Sequence, residues 1–209
     1  MAVSHETAQE AFWAGDFGTE YINRNGDAAA LAGRTHLWST ILARTSGIGS
    51  AVEFGANIGL NIHALGRLLP TAALSAIEIN AEAVGHLRRI EGLGVYHGSI
   101  LGPQLERAHD LVFTVGVLIH INPEVLPAVY DNLHAASRRY IVVAEYYNPR
   151  PVAIPYRGHE DRLFKRDFAG DMLDRFDDLK LVDYGFCYHR DAQFPMDDIT
   201  WFLLEKRGG

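Results

Sequence analysis

Residues 51–61, Ala51-Val52-Glu53-Phe54-Gly55-Ala56-Asn57-Ile58-Gly59-Leu60-Asn61, constrain the fold more than any other stretch. A short apolar run ends in alternating small residues and opens into a helical pattern, which reads as a strand, a tight turn and a helix start. The spacing is acid-x-Gly-x-Asn-x-Gly. Glycine permits positive φ and lets a ligand approach the backbone closely. Asn57 stands where a middle glycine would be expected, and asparagine tolerates left-handed geometry better than other non-glycine residues. The N–H groups at the start of the following helix attract polar, anionic parts of a ligand. An ordinary strand-to-helix turn would carry the same features. A dinucleotide fingerprint requires Gly-x-Gly-x-x-Gly/Ala. Counted from Gly55 the chain offers Gly55, Asn57 and Leu60, and a leucine at the third place opposes close helix–strand packing.

The 209 residues suit one α/β domain with some decoration, and 48% hydrophobic residues supply a full core. A net charge of −7 argues against sequence-independent nucleic-acid binding, which needs a basic footprint. It mildly favours a small, cationic substrate. Cys187 is the one cysteine, so no intramolecular disulfide forms. Residues 1–10 show neither a basic n-region nor an apolar h-region, and a cytoplasmic location is expected. The longest apolar run, residues 111–121, is too short to span a bilayer. None of the ten histidines pairs with another at i, i+3 or i+4, so no metal site is expected.

Along the chain, residues 5–25 gather Phe12, Trp13, Phe17 and Tyr21 among polar groups. They form either an N-terminal cap on the sheet or a lid in which Trp13 and Tyr21 face a cationic ligand. Residues 27–44 read as a helix that packs beside the sheet; residues 1–46 are expected to form a helical cap or lid and residues 47–209 the core. A helix over 61–69, a strand over 73–79, a helix over 80–91 capped by Asn80, and strands over 95–100, 110–115 and 139–146 follow. Asn122 and Pro123 are expected to open the helix after the fourth strand. Residues 151–165 read as a charged loop, 167–176 as a helix, and 179–189 with 198–206 as a closing hairpin. The expected fold is therefore α/β: a Rossmann-like, seven-stranded, mostly parallel sheet with a C-terminal antiparallel hairpin.

Glu78 ends the second strand. An acid about twenty residues beyond a glycine loop, at a strand's carboxyl end, is placed to accept both hydroxyls of a ribose. His120 lies in a strand-to-helix turn, where open α/β sheets keep their ligand crevice. Glu145 ends an otherwise apolar strand, beside Tyr146-Tyr147-Asn148-Pro149, and a carboxylate there is unlikely to be buried without a partner.

The whole chain resembles the small S-adenosylmethionine (SAM)-dependent methyltransferases known as pseudaminic acid biosynthesis-associated methylases. The resemblance rests on Phe12-Trp13-Ala14-Gly15, Tyr21-Ile22-Asn23-Arg24-Asn25, Glu53-Phe54-Gly55-Ala56-Asn57-Ile58-Gly59, Gly116-Val117-Leu118-Ile119-His120-Ile121-Asn122-Pro123, Ala144-Glu145-Tyr146-Tyr147-Asn148-Pro149, Tyr156-Arg157-Gly158-His159, Lys165-Arg166-Asp167-Phe168-Ala169-Gly170 and Asp198-Ile199-Thr200-Trp201-Phe202. It implies a class I methyltransferase with SAM as cofactor and S-adenosylhomocysteine as product. The class pattern, acid-x-Gly-x-Gly-x-Gly, is met by Glu53, Gly55 and Gly59 and departed from at Asn57. Cofactor contacts are expected at Glu53, Gly55, Ala56, Asn57, Gly59, Glu78, Ile79, Val115 and Gly116. Ser99 and Ile100 take the places that usually hold adenine, with Ser99 where an aspartate is usual. Glu145, His120 and Tyr147 are the expected catalytic groups. Trp13, Tyr21, Asn148, Tyr156, Glu160 and Asp161 are the expected substrate contacts.

N-methylation of an amine or guanidine on a small natural-product intermediate is the expected reaction. N- or O-methylation of a nucleotide-activated amino or nonulosonic sugar, a non-catalytic SAM-binding protein and an NAD-linked oxidoreductase are the alternatives. The expected partner is a small molecule, with no nucleic acid and no membrane, and the chain is expected as a monomer or homodimer.

Overall fold

The computed structural model describes residues 7–22, 28–102, 105–156 and 159–208. The side chains of Tyr21, Tyr156, Glu160 and Asp161 lie outside the described residues.

The sheet grows from β1 (Ser50–Phe54), an apolar segment buried at every position. On one side β1 pairs in parallel with β2 (Ala73–Glu78), which pairs in parallel with β3 (Gly94–His97). On the other side β1 pairs with β4 (His109–Val115), and β4 with β5 (Ser137–Glu145), again in parallel. The sheet order reverses at β1, so a crevice opens beyond the carboxyl ends of β1 and β4. Two further strands run antiparallel to one another, β8 (Leu179–Phe186) at the edge and β9 (Thr200–Lys206) between β8 and β5. The order is β3-β2-β1-β4-β5-β9-β8, the seven-stranded mixed sheet expected from the sequence.

Helices cover both faces. On one, α3 (Ala28–Leu42) and α4 (Leu60–Leu68) bury Leu37, Trp38, Ile41, Ile62 and Leu65 against β1 and β4. On the other, α6 (Leu126–Ala136) and α7 (Phe168–Arg175) bury Leu126, Val129, Leu133, Phe168 and Met172. The helix read over residues 27–44 thus packs beside the sheet as α3. The described residues before it form two short helices, α1 (Ala8–Ala14) and α2 (Asp16–Ile22). Thr7 caps α1 in a reciprocal capping box with Glu10.

Two expectations are corrected. Within residues 151–165, β6 (Val152–Tyr156) and β7 (His159–Lys165) pair as a two-stranded antiparallel ribbon rather than a loop. Pro155 and the charges of His159 to Arg162 obscured the alternation of Val152, Ile154 and Tyr156. Proline is tolerated because a two-stranded ribbon consists of edges. The helix after β4 starts at Leu126, with Pro127 in its first turn, not at Pro123. Asn122 instead accepts the Glu124 N–H (3.0 Å) in a separate turn, and residues 118–120 make one turn of 3₁₀ helix.

Candidate functional site

A cavity of about 190 Å³ opens at the carboxyl ends of β1, β2 and β4. Its floor is the loop after β1. Gly55, Asn57 and Gly59 have φ of 81°, 47° and 84°, and Asn57 is the one non-glycine residue with positive φ among the described residues. The turn expected from the sequence therefore forms with asparagine in its middle. A Cβ on Gly55 would sit 2.7 Å from Val117 Cγ2, so the loop and the turn after β4 are packed against one another. Gly59 caps α4 without a side-chain hydrogen bond, and a Cβ there would meet Leu87 Cδ2 at 2.9 Å.

Two buried carboxylates border this loop. The β1–β2 register aligns Glu53 with Ala76 and Phe54 with Ile77, so Glu53 and Glu78 end neighbouring strands. Glu53 Oε1 accepts Asn61 Nδ2–H at 2.6 Å, and Asn61 Oδ1 accepts Trp38 Nε1–H at 3.1 Å. Glu53 Oε2 is buried with no hydrogen-bond partner, as are Asn57 Oδ1 and Arg34 Nη1, and all three residues line the cavity. Burial pushes the Glu53 carboxyl up to about 8, against the Asn61 hydrogen bond and the Arg34 charge. Glu78 accepts the backbone N–H of Asn57 (2.7 Å) on one oxygen and that of Asn80 (2.8 Å) on the other. Burial raises its pKa as well, and these N–H groups oppose the rise. A carboxylate has about four lone-pair sites. Each Glu78 oxygen therefore keeps capacity for a further donor from the cavity.

The roof comes from α1 and α2. Asn80 Oδ1 caps α5 (Ala81–Leu87) by accepting the N–H groups of Glu82 and Ala83. Its Nδ2 lies 3.2 Å from Trp13 O, 3.4 Å from Ala14 O and 3.3 Å from Thr19 Oγ1. One side chain thus links the end of β2 to the aromatic helices. The Trp13 ring, which lines the cavity, meets the His120 ring at 4.6 Å.

Of the candidate site residues, Glu53, Gly55, Ala56, Asn57, Glu78, Ile79, Ile100, Val115, Gly116, Trp13 and His120 line this cavity. Gly59 shapes the loop from behind. Ser99 is turned into its own bend, where its Oγ accepts the Leu101 N–H (3.0 Å), and neighbouring Gly98 lines the wall. Asn148 donates to Arg150 O at 2.5 Å. Tyr147 is 40% exposed and packs on Phe202, with ring centroids 5.9 Å apart. Glu145 is 2% exposed and its carboxylate faces backbone amides away from the cavity. Tyr146, whose side chain alternates to the opposite face of the strand end, lines the cavity instead.

Sequence reasoning also passed over Glu10, Arg34, Asn61, Leu163, Asp197 and Ile199. The period-2 alternation of a strand would have found Tyr146, whereas Arg34 and Asp197 arrive from elements remote in sequence. Among the described residues no group of three or more His, Cys, Asp or Glu side chains could hold a metal ion, and no helix is long and apolar enough to cross a membrane.

By sequence, no protein-family model and no curated protein matches the chain. By structure, it is similar to the 1,6-didemethyltoxoflavin-N1-methyltransferase of Burkholderia thailandensis, with a TM-score of 0.67, 12% identity, and 99% of this chain and 94% of that chain covered. It is similar to the magnesium protoporphyrin IX methyltransferase of Synechocystis PCC 6803 bound to S-adenosylhomocysteine (TM-score 0.67, 13% identity, 94% and 97% covered). It is also similar to the N-methyltransferase NodS of Bradyrhizobium japonicum WM9 (TM-score 0.64, 15% identity, 91% and 99% covered). The fold is the Rossmann-like fold of SAM-dependent methyltransferases.

Proposed function

We propose that the protein is a SAM-dependent methyltransferase that methylates a nitrogen of a small, polar metabolite. The observation carrying this reading is the left-handed 55–59 loop flanked by Glu53 and Glu78, on a cavity whose lining residues Glu53, Asn57 and Arg34 each hold a buried polar atom without a hydrogen-bond partner. SAM supplies an electrophilic methyl group on a sulfonium. Of the described lining residues, Glu10, Glu53, Glu78 and Asp197 carry carboxyl groups, while Arg34 carries the one guanidinium or ammonium. With Arg34 the one fixed positive charge among the described lining residues, the site favours an acceptor without phosphate.

In this reading Glu78 accepts the ribose hydroxyls, Ile79, Gly98 and Ile100 enclose the adenine, and Glu53, Asn57 and Arg34 hold the amino-acid end. Gly116, where a Cβ would meet nothing within 4 Å, leaves room at the backbone. Trp13, His120 and Tyr146 wall the reacting end. Alignment of the nucleophile by such walls can supply roughly 7–11 kcal/mol. His120 is the imidazole positioned to take the acceptor's proton, a contribution of typically about 10²–10⁴-fold. The neighbouring structures include N-methyltransferases, which supports nitrogen as the methylated atom. The resemblance to pseudaminic acid-associated methylases favours, as a second reading, an amino or nonulosonic sugar acceptor.

Calorimetry with S-adenosylhomocysteine and with NAD tests the cofactor. Micromolar binding of the first and none of the second is the expected result. NAD binding, or no binding of either, refutes it. Transfer of labelled methyl from SAM to amines, guanidines and amino sugars then separates the acceptors, and cofactor binding without transfer to any acceptor leaves a SAM-binding protein.

A further inference from the structure

The buried carboxylate of Glu145 has no part in the mechanism above. It ends β5, and the β4–β5 register places Val115 beside Ala144, so Glu145 lies next to the turn that leaves β4. Glu145 Oε1 accepts the N–H groups of Val117 and Leu118, each at 3.1 Å, and Oε2 accepts that of Ile119 at 3.4 Å. The Thr114 hydroxyl donates to Oε1 at 3.3 Å. These three amides are the ones a short 3₁₀ turn leaves without intrahelical partners at its start. The turn then closes on itself, with His120 N–H donating to Val117 O (2.9 Å) and Ile121 N–H to Leu118 O (3.1 Å).

Apart from Leu118, which enters the core, this turn faces the cavity. Val117, Ile119, His120 and Ile121 line it, and Val117 packs on Gly55 of the loop. Burial pushes the Glu145 carboxyl up to about 7, while the three amides and Thr114 oppose the rise. Tyr130 on α6 feels the Glu145 charge, and Arg166 and Tyr147 line a small pocket together with Glu145.

We propose that Glu145 is a positioning residue, whose carboxylate holds the amides of residues 117–119 and so sets Val117 against the glycine loop and His120 at the reacting end. This rests on the methyltransferase reading for what the turn serves, but the anchoring itself does not. Glu145 is not a catalytic residue, because its oxygens face the backbone and not the space an acceptor would occupy.

The test compares wild type, Glu145→Gln and Thr114→Val by hydrogen exchange across the chain and by calorimetry with S-adenosylhomocysteine. Glutamine keeps one acceptor oxygen but turns an NH₂ toward the Ile119 N–H. In Glu145→Gln, amides 117–121 should exchange at least about tenfold faster with the remaining strands unchanged, and the nucleoside should bind about tenfold more weakly, the order expected for one lost hydrogen bond to a charged group. Thr114→Val, which leaves all three amides held, should match wild type in both. Unchanged protection of 117–121 in Glu145→Gln overturns the proposal. A uniform loss of protection over the sheet overturns it too, since Glu145 would then serve only stability. If wild type fails to bind the nucleoside, the methyltransferase reading falls, and exchange at 117–121 still decides the anchoring.

Discussion

Glu53→Gln should make the protein more stable and its cofactor site weaker. The Glu53 carboxyl is 1% exposed, one of its oxygens has no partner, and burial raises its pKa from 4.5 to about 8. A carboxyl whose folded pKa is raised adds stability that is fully present below the unfolded pKa and is lost as pH rises through the folded value. The loss therefore falls between 4.5 and about 8. At about 1.4 kcal/mol per pKa unit, most of the interval lies between pH 5 and pH 8, and wild type loses on the order of 3–4 kcal/mol there through this one group. Glutamine can keep the hydrogen bond from Asn61 and carries no charge to desolvate, so the variant escapes the loss. Thermal unfolding at the two pH values reads this directly. Near pH 8 the variant should melt higher by on the order of 10 °C, at about 2–4 °C per kcal/mol for a chain of this size, and near pH 5 the gain should nearly vanish. Affinity for S-adenosylhomocysteine should fall near pH 8, where the ionised carboxylate would face the ligand's ammonium. A variant no more stable than wild type near pH 8, or equally stabilised at both pH values, refutes the reasoning.

Gly55→Ala should cost about 1–2 kcal/mol for left-handed backbone alone, with the Val117 clash in addition, and should abolish nucleoside binding; urea unfolding and calorimetry check both. Asn80→Ala removes the cap of α5, worth about 1 kcal/mol, and the link to Trp13, Ala14 and Thr19. Hydrogen exchange over α1 and α2 should speed up while β1 and β4 stay protected, and equal protection would show that the roof holds without the link. Tyr146→Ala should impair methyl transfer, and Tyr147→Ala should change only stability, by about 0.5–1.5 kcal/mol for the lost ring pair, as read from activity and unfolding side by side.

The glycine loop, the β2-end acid and the core strands were legible because each depends on local chemistry. Positive φ at 55, 57 and 59 requires residues that tolerate it, and the chain places Gly, Asn and Gly there. Alternation and apolar content marked β1, β4 and β5, buried on both faces. Boundaries were less legible where two signals competed. Asn122-Pro123 has the chemistry of a helix start, yet the preceding 118–120 turn takes the chain to Leu126 before α6 begins. Pro155 and four charged or titratable residues hid the β6–β7 ribbon.

The end of β5 shows why the site was harder to read than the fold. Three polar residues in a row, Glu145, Tyr146 and Tyr147, read alike as crevice groups, but a strand sends successive side chains to opposite faces. Only Tyr146 reaches the cavity. The apolar strand around Glu145 implies that its carboxylate has a partner, whether a substrate, a counter-ion or solvent. The premise was sound, since a buried carboxylate needs partners. The partners are backbone N–H groups of the neighbouring turn, and backbone donors leave no mark in a sequence. The same limit applies to Glu78, whose partners in this structure are the amides of Asn57 and Asn80. In both cases the residue type announces a buried charge, and the register of the strand beside it decides whether that charge serves a ligand or the loop that receives one.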